Sequence, residues 1–484
     1  MDEMNIKKSV MTGAVWKFAE QIIAQAVSLI VSIIIARLVG PEEYGVVGII
    51  TVYFAFANVI ISGGLNTALI QKKEADKEDY NTVFAISFSV AIAIYLILFF
   101  GAPFIANLYG QPILVEIIRV LGLSLPIYAL KSVVCAYISA NLQFRKFFFA
   151  TLGGTLVSAV VGIFMALKGF GAWALIAQQL TNTTVDTLIL FLVTKLKLVF
   201  RVSADRAKDL IRYGSKIFLS SMLGVTFTQI NPLFIGLKYT SADLSFYTKG
   251  KSFPETLSSS MTYTVAAVLF PALSKYQEDK EKLLQYTRLY MQLASFLVFP
   301  VMLGFAAVSK SFVLLFLGND WLPATYYIQI VCFSTMFDVV AAGNCETIKA
   351  MGRSDIFLNI EIIKKTCYFI TLVLFLLFTD SPQMLAISLL VCTIVQITVN
   401  SIPNHKLIGY KGTYQLMDLV PNLLIALIMY VLVLWLGQLP LNAVAKILLQ
   451  ILTGVVIYVV LALLTKNQAM RYALNLIKER RKAN

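Results

Sequence analysis

Apolar runs of about twenty residues recur along almost the whole 484-residue chain, separated by short polar turns, and this spacing restricts its fold more than any other feature. As a helix, each run crosses a hydrocarbon layer of roughly 30 Å. Lipid offers the backbone no hydrogen bonds, so the runs must satisfy themselves as a helical bundle. A chain that is 58% hydrophobic and 14% charged would not be tolerated as a soluble domain of this length.

Reading the runs between turn signals gives about fourteen spans. The first six lie near 13–36, 44–63, 81–106, 112–140, 146–167 and 171–194. Six more lie near 215–238, 247–273, 284–316, 322–349, 355–378 and 382–402, and two near 417–436 and 441–465 close the series. The expected fold is an all-α polytopic membrane protein with an N-lobe (1–197), a cytoplasmic amphipathic linker (198–214) and a C-lobe (215–405). Spans thirteen and fourteen (406–466) and a basic tail (467–484) follow.

An internal repeat supports two lobes of six spans. Ile35 to Gly40 matches Ile235 to Thr240 in position and character, and Lys72 to Glu78 resembles Lys275 to Glu281. Phe144-Arg145 corresponds to Gly352-Arg353, and Ala172 to Leu175 to Gln383 to Ala386, in preserved order with a slowly growing offset. Six is even, so both halves enter from the same side and form a parallel repeat, related by an axis along the membrane normal.

The formal charge of +14 is spread between spans rather than gathered into a nucleic-acid patch. Alternate loops collect the cations: Lys7 and Lys8, then Lys72, Lys73 and Lys77, then Arg145 and Lys146, and so on to Arg471 through Lys482. The positive-inside rule therefore predicts both termini in the cytoplasm of an inner-membrane protein. No cleaved signal peptide is expected at the start. The five cysteines have no metal-ligand spacing, and His405 is the single histidine, so metal sites and histidine-based catalysis are disfavoured. No catalytic constellation, hence no enzyme activity, is expected, and no cofactor beyond a coupling H+ or Na+.

The short motifs resemble those of one family. Gly13-Ala14-Val15-Trp16, the run from Ala36 through Pro41 to Gly45, and Ala68 to Lys73 carry the resemblance in the first half. Val268 to Lys275 and the Asp320-Trp321 turn carry it in the second. These are similar to the polysaccharide transporter branch of the multidrug, oligosaccharidyl-lipid and polysaccharide exporter superfamily, most of all to exporters associated with colanic and teichuronic acid. The resemblance implies a V-shaped transporter working by alternating access. It also implies an undecaprenyl-diphosphate-linked oligosaccharide as substrate, moved between leaflets during lipopolysaccharide or other surface polysaccharide assembly, with a polymerase and export machinery as partners.

Charges within spans are default functional candidates. Lys17, Gln21, Gln25, Ser28 and Ser32 share one helical face of the first span, with Glu20 beside them. Span six crowds Gln178, Gln179 and Thr181 to Thr184 ahead of Asp186, too many polar groups for a lipid-facing helix. A diphosphate needs cations along its route, and the candidates are Lys17, Arg37, Arg119, Lys131, Lys249 and Lys251. Glu20, Asp186, Glu255 and Asp338 are the candidate coupling acids; Asp186 either pairs with a cation or satisfies a neighbouring helix. Glu361 with Lys364 and Glu346 with Lys349 have the spacing of local ion pairs. A drug or cation antiporter of the same superfamily, which would bind its substrate through acids, is the nearest alternative, and a membrane-embedded polymerase a more distant one.

Overall fold

The computed structural model describes the backbone of residues 3–72, 75–472 and 475; within these, no side-chain surroundings are described for 3–15, 17–19, 21–22, 263–268 and 270–272. The helices in order are α1 (Glu3–Val39), α2 (Pro41–Ser62), α3 (Leu65–Gln71), α4 (Lys77–Tyr109), α5 (Ile113–Gly122) and α6 (Ser124–Ala140). Next come α7 (Arg145–Leu167), α8 (Ala172–Thr194), α9 (Ala204–Lys238), α10 (Ser241–Ser274), α11 (Lys280–Phe312) and α12 (Ala324–Thr335). The last are α13 (Asp338–Ala350), α14 (Ser354–Phe378), α15 (Pro382–Ile408), α16 (Gly412–Leu436) and α17 (Ala443–Leu464). No strand occurs among the described residues.

Ten segments of the described residues are long and apolar enough to cross a membrane. They are α2, α4, α5 with α6, α7, α9, α11, α12 with α13, α15, α16 and α17. The other expected spans coincide with α1, α8, α10 and α14. All four are long enough, at 37, 23, 34 and 25 residues for α1, α8, α10 and α14, and the last three are interrupted by polar and charged residues such as Asp186, Lys249 and Glu361. Ile97, Phe100 and Phe104 of α4, and Leu377 and Phe378 of α14, are largely exposed, as suits side chains that face lipid. The molecule is a multi-pass, all-helical membrane protein.

The chain divides into two compact units, Met1–Ser245 and Phe246–Asn484. The residues expected as a linker do not form a separate element throughout. From Ala204 they run without a break into the seventh span as α9, which packs against α2, α3 and α4. Segment 199–203 is strapped to the start of α4: Asn81 Oδ1 accepts from the Val199 amide at 2.9 Å, and Thr82 Oγ1 from that of Ser203 at 3.2 Å. Asp79, fully buried, meets Lys72 at 2.7 Å and Arg206 at 3.1 Å. Asp76 caps α4 in a reciprocal box with Asp79. The Asp79 amide and then the Arg206 guanidinium hold the Asp76 carboxyl below the usual carboxylate range.

Each unit also contains a span broken near its middle. In the first the break falls at Leu123, ahead of Pro126; in the second at Met336 and Phe337. The two breaks occupy corresponding places in the repeat.

In the second unit, α11 is the central post, touching α12, α13, α15, α16 and α17. A polar clamp fixes α16 to it. Arg288 grips Asp418 with two bonds of 2.8 and 2.9 Å, while Gln292 (2.6 Å) and Tyr410 (2.9 Å) donate to the same carboxylate. Asn422 donates to Ser295 at 2.7 Å and accepts from Asn467 at 2.7 Å, and Tyr458 of α17 donates to the Phe296 carbonyl at 2.8 Å. Such bonds resist dissociation because hydrocarbon offers their partners nothing instead. Replacing Asp418 with Ala strands Arg288, Gln292 and Tyr410 together; the expected loss is about 2–3 kcal/mol, read as a lowered unfolding midpoint in detergent, with Asp418→Asn losing less.

Candidate functional site

The first unit contains a polar cavity of about 530 Å³. Its wall is mostly amide and hydroxyl, with Tyr44, Phe54 and Leu121 between them: the polar groups are Asn58 of α2, Ser124 of α6, Thr155 of α7, and Gln178, Gln179 and Asn182 of α8. Ser28 and Ser32, the C-terminal part of the expected α1 stripe, also line it. The cavity exists because α7 lets α8 come close. Gly154, Ser158 and Gly162 recur every fourth residue on one face of α7, and a Cβ at Gly154 would meet Asp186, while one at Gly162 would meet Gln178. Asn182 donates to Ser158 at 3.2 Å across this seam. The hydroxyls of Thr183, Thr184 and Thr187 bond back to their own helix at 3.0, 2.7 and 2.6 Å. Gln178 and Gln179 line the cavity.

Next along α8 from this wall, Lys131 of α6 lies 2.5 Å from Asp186, whose side chain is 6% exposed. The expected cation and the expected acid are therefore one pair. A buried carboxylate of this kind is held by its ammonium partner, and the pair carries no net charge. Glu20 is buried and accepts from Thr151 at 3.1 Å. Gln25 is exposed, and Lys17 and Gln21 lie outside the described side chains. Arg37 is exposed in the last turn of α1. Arg119 lies over the Phe99 ring at 4.5 Å and donates to the Phe99 carbonyl at 3.4 Å, away from the cavity wall.

In the second unit, Lys251 pairs with Glu255 at 3.4 Å and lies over the Tyr247 ring, while Lys249 is buried over Phe253. Asp338 accepts from Ser258 at 3.2 Å and from Gln396 at 3.4 Å. The two local pairs read from spacing are present: Lys364 with Glu361 at 2.5 Å, and Lys349 with Glu346 at 2.9 Å.

A second cavity, of about 480 Å³, is almost wholly apolar. It lies along α11, α16 and α17, between Phe296, Pro300 and Gly304 on one side and Met429, Gly454 and Val455 on the other. Sequence reasoning named neither this groove nor the Arg288 and Asp418 clamp beside it. The signal for the clamp was a lone acid near the start of span thirteen. For the polar cavity it was single polar residues, Asn58 and Ser158, in otherwise apolar runs.

Replacing Lys131 with Met leaves Asp186 as an uncompensated buried charge, and the expected cost is about 3 kcal/mol. The double variant Lys131→Met with Asp186→Asn is expected to recover the lost membrane abundance. Immunoblotting of membrane fractions checks both.

The family model described as polysaccharide biosynthesis protein matches residues 34–326, more than half the chain. The succinoglycan biosynthesis transport protein ExoT of Rhizobium meliloti (strain 1021) is 25% identical over 466 residues, 93% of this chain and 91% of its own length. The lipopolysaccharide biosynthesis protein WzxC of Escherichia coli (strain K12) is 22% identical over 367 residues, 75% of this chain and 74% of its own. Among solved structures, the lipid II flippase MurJ in an inward closed conformation superposes with a TM-score of 0.74 at 16% identity, covering 93% of this chain and 98% of its own. An inward-facing multidrug resistance transporter of the MOP superfamily superposes at 0.62, also at 16% identity, over 82% of this chain and all of its own. The last two establish the fold, and the resemblance read from the short motifs is borne out. This membrane protein belongs to the polysaccharide biosynthesis protein family.

Proposed function

We propose that the chain is a flippase that carries an undecaprenyl-diphosphate-linked oligosaccharide from the cytoplasmic to the outer leaflet of a bacterial inner membrane, for surface polysaccharide assembly. The observation that carries this reading is the polar cavity of the first unit. Its wall of amides and hydroxyls supplies the neutral donors and acceptors that sugar hydroxyls require, and its charged neighbours Lys131 and Asp186 neutralise each other. A cavity for lipophilic cations would need free acids, and none is among the residues that line this one. The apolar groove of the second unit, lined by α11, α16 and α17, suits a polyprenyl chain. The relatives' names, a succinoglycan transport protein and a lipopolysaccharide biosynthesis protein, point the same way.

In this reading α1, α8, α10 and α14 also cross the membrane, giving fourteen crossings with both termini in the cytoplasm, and transport proceeds by alternating access of the two lobes. Lys249 and Lys251 with the basic loops favour the diphosphate end of the substrate. Polymerase and export proteins receive the product.

Deletion of the gene is expected to trap lipid-linked oligosaccharide on the cytoplasmic leaflet while a surface polysaccharide disappears, measured by leaflet-selective labelling of the glycolipid. An unchanged glycolipid with increased sensitivity to cationic drugs would instead establish an antiporter. In the complementing gene, Asn182→Leu is expected to lower export about tenfold at normal abundance, because it removes a neutral polar group from the cavity wall.

A further inference from the structure

A ladder of polar side chains runs through the second unit along α15. Thr393, Gln396, Asn400 and Asn404 follow at intervals of three and four, on one face. Three of these rungs have partners. Thr393 bonds Ser334 at 2.6 Å, Gln396 donates to Asp338 at 3.4 Å, and Asn404 donates to the Asn344 side chain at 2.7 Å. Asn344 in turn donates to Gln415 at 3.2 Å. The Asp338 and Gln396 pair is 58 residues apart and the Asn344 and Asn404 pair 60, so α13 and α15 run side by side in the same direction.

Asn400 is the exception. It is fully buried, and neither its Oδ1 nor its Nδ2 has a hydrogen-bond partner. The register places it level with Ala341 and Ala342 of α13, whose methyl groups offer no hydrogen bond. On α10, one turn beyond Ser258 in the same direction as α13, the hydroxyl of Thr262 is also buried and unpartnered. So too is Asn404 Oδ1, one turn beyond Asn400. Four polar atoms without partners thus cluster by register between Asp338 and Asn344, where elsewhere the same ladder is paired. An amide so placed is unfavourable in a dry site but not beside water, which makes about three hydrogen bonds when buried.

We propose that the Asn400 level holds a short chain of water that carries protons between Asp338 and the end of α15 where His405, Lys406 and Lys411 are exposed. This rests on the transport reading and names its coupling ion as H+, with Asp338 as the group that takes and releases it. The proton moves from hydronium to a carboxylate oxygen of Asp338, and returns by the same route. The carboxyl is set for this by Ser258 and Gln396, and its surrounding charges are Glu255 of α10, itself paired with Lys251, and Lys364 of α14, paired with Glu361.

The test needs no lipid substrate, so its failure is separable from failure of the flippase reading. The full chain is reconstituted in liposomes, and the infrared C=O stretch of the Asp338 carboxyl is identified by its loss in Asp338→Asn. The band is expected to titrate with external pH and to exchange rapidly on mixing with deuterium oxide. Asn400→Leu, which fills the gap with methyl groups, is expected to slow that exchange about tenfold, and Thr262→Val to slow it in the same sense. Asn400→Ser, which leaves room and polarity for water, is expected to exchange like the original and also shows that the position tolerates change. Exchange in Asn400→Leu as fast as in the original protein, or an Asp338 band that does not respond to pH, would overturn the proposal.

Discussion

Hydrocarbon accepts no hydrogen bonds, and every polar group in this molecule is arranged around that fact. The backbone answers it by becoming helical. The side chains answer it in pairs: Lys131 with Asp186, Arg288 with Asp418, Asp79 with Lys72 and Arg206. Each charge in these groups has its opposite within about 3 Å, because the alternative is a desolvated ion. What remains unpaired is then informative, since each such group needs something other than protein beside it.

The two units meet the constraint differently. In the first, small residues on α7 let α8 approach until the amides of Gln178 and Asn182 and the hydroxyls of α2, α6 and α7 surround a common space. That space is neutral because its nearest ion pair cancels. In the second, the polar clamp on α11 holds α16 and α17 so that their apolar faces, with α11, leave an almost wholly apolar groove. A sugar and a prenyl chain ask for these two opposite environments, and the clamp explains how the second is maintained beside polar side chains: Arg288 and Gln292 spend their hydrogen bonds on Asp418, and Asn422 on Ser295.

Much of the architecture was legible in the sequence. Ten of the apolar runs appear as membrane-length helices at or near the expected residues, and the repeat has a structural counterpart in the broken spans at Leu123 and at Met336. The ion pairs at i and i+3 were readable because helix geometry alone brings those positions together. Some of the polar run from Gln178 to Asp186 was likewise recognisable as facing protein or water, and Gln178, Gln179, Asn182 and Thr183 do line the cavity. Less legible were Asn58, Thr155 and Ser158, isolated polar residues in apolar runs, and the spacing of Gly154, Ser158 and Gly162.

Periodicity and composition, then, determined by themselves that this chain is a helical membrane protein, where ten of its spans lie and that it repeats. These follow from energies that act within one helix or between helix and lipid. Only the tertiary structure decided that Lys131 neutralises Asp186, that Asp418 holds Arg288, and that Asn400 has no partner. Those outcomes depend on which faces of helices distant in sequence meet and at what register, and a shift of one residue, about 100° around a helix, would exchange every partner.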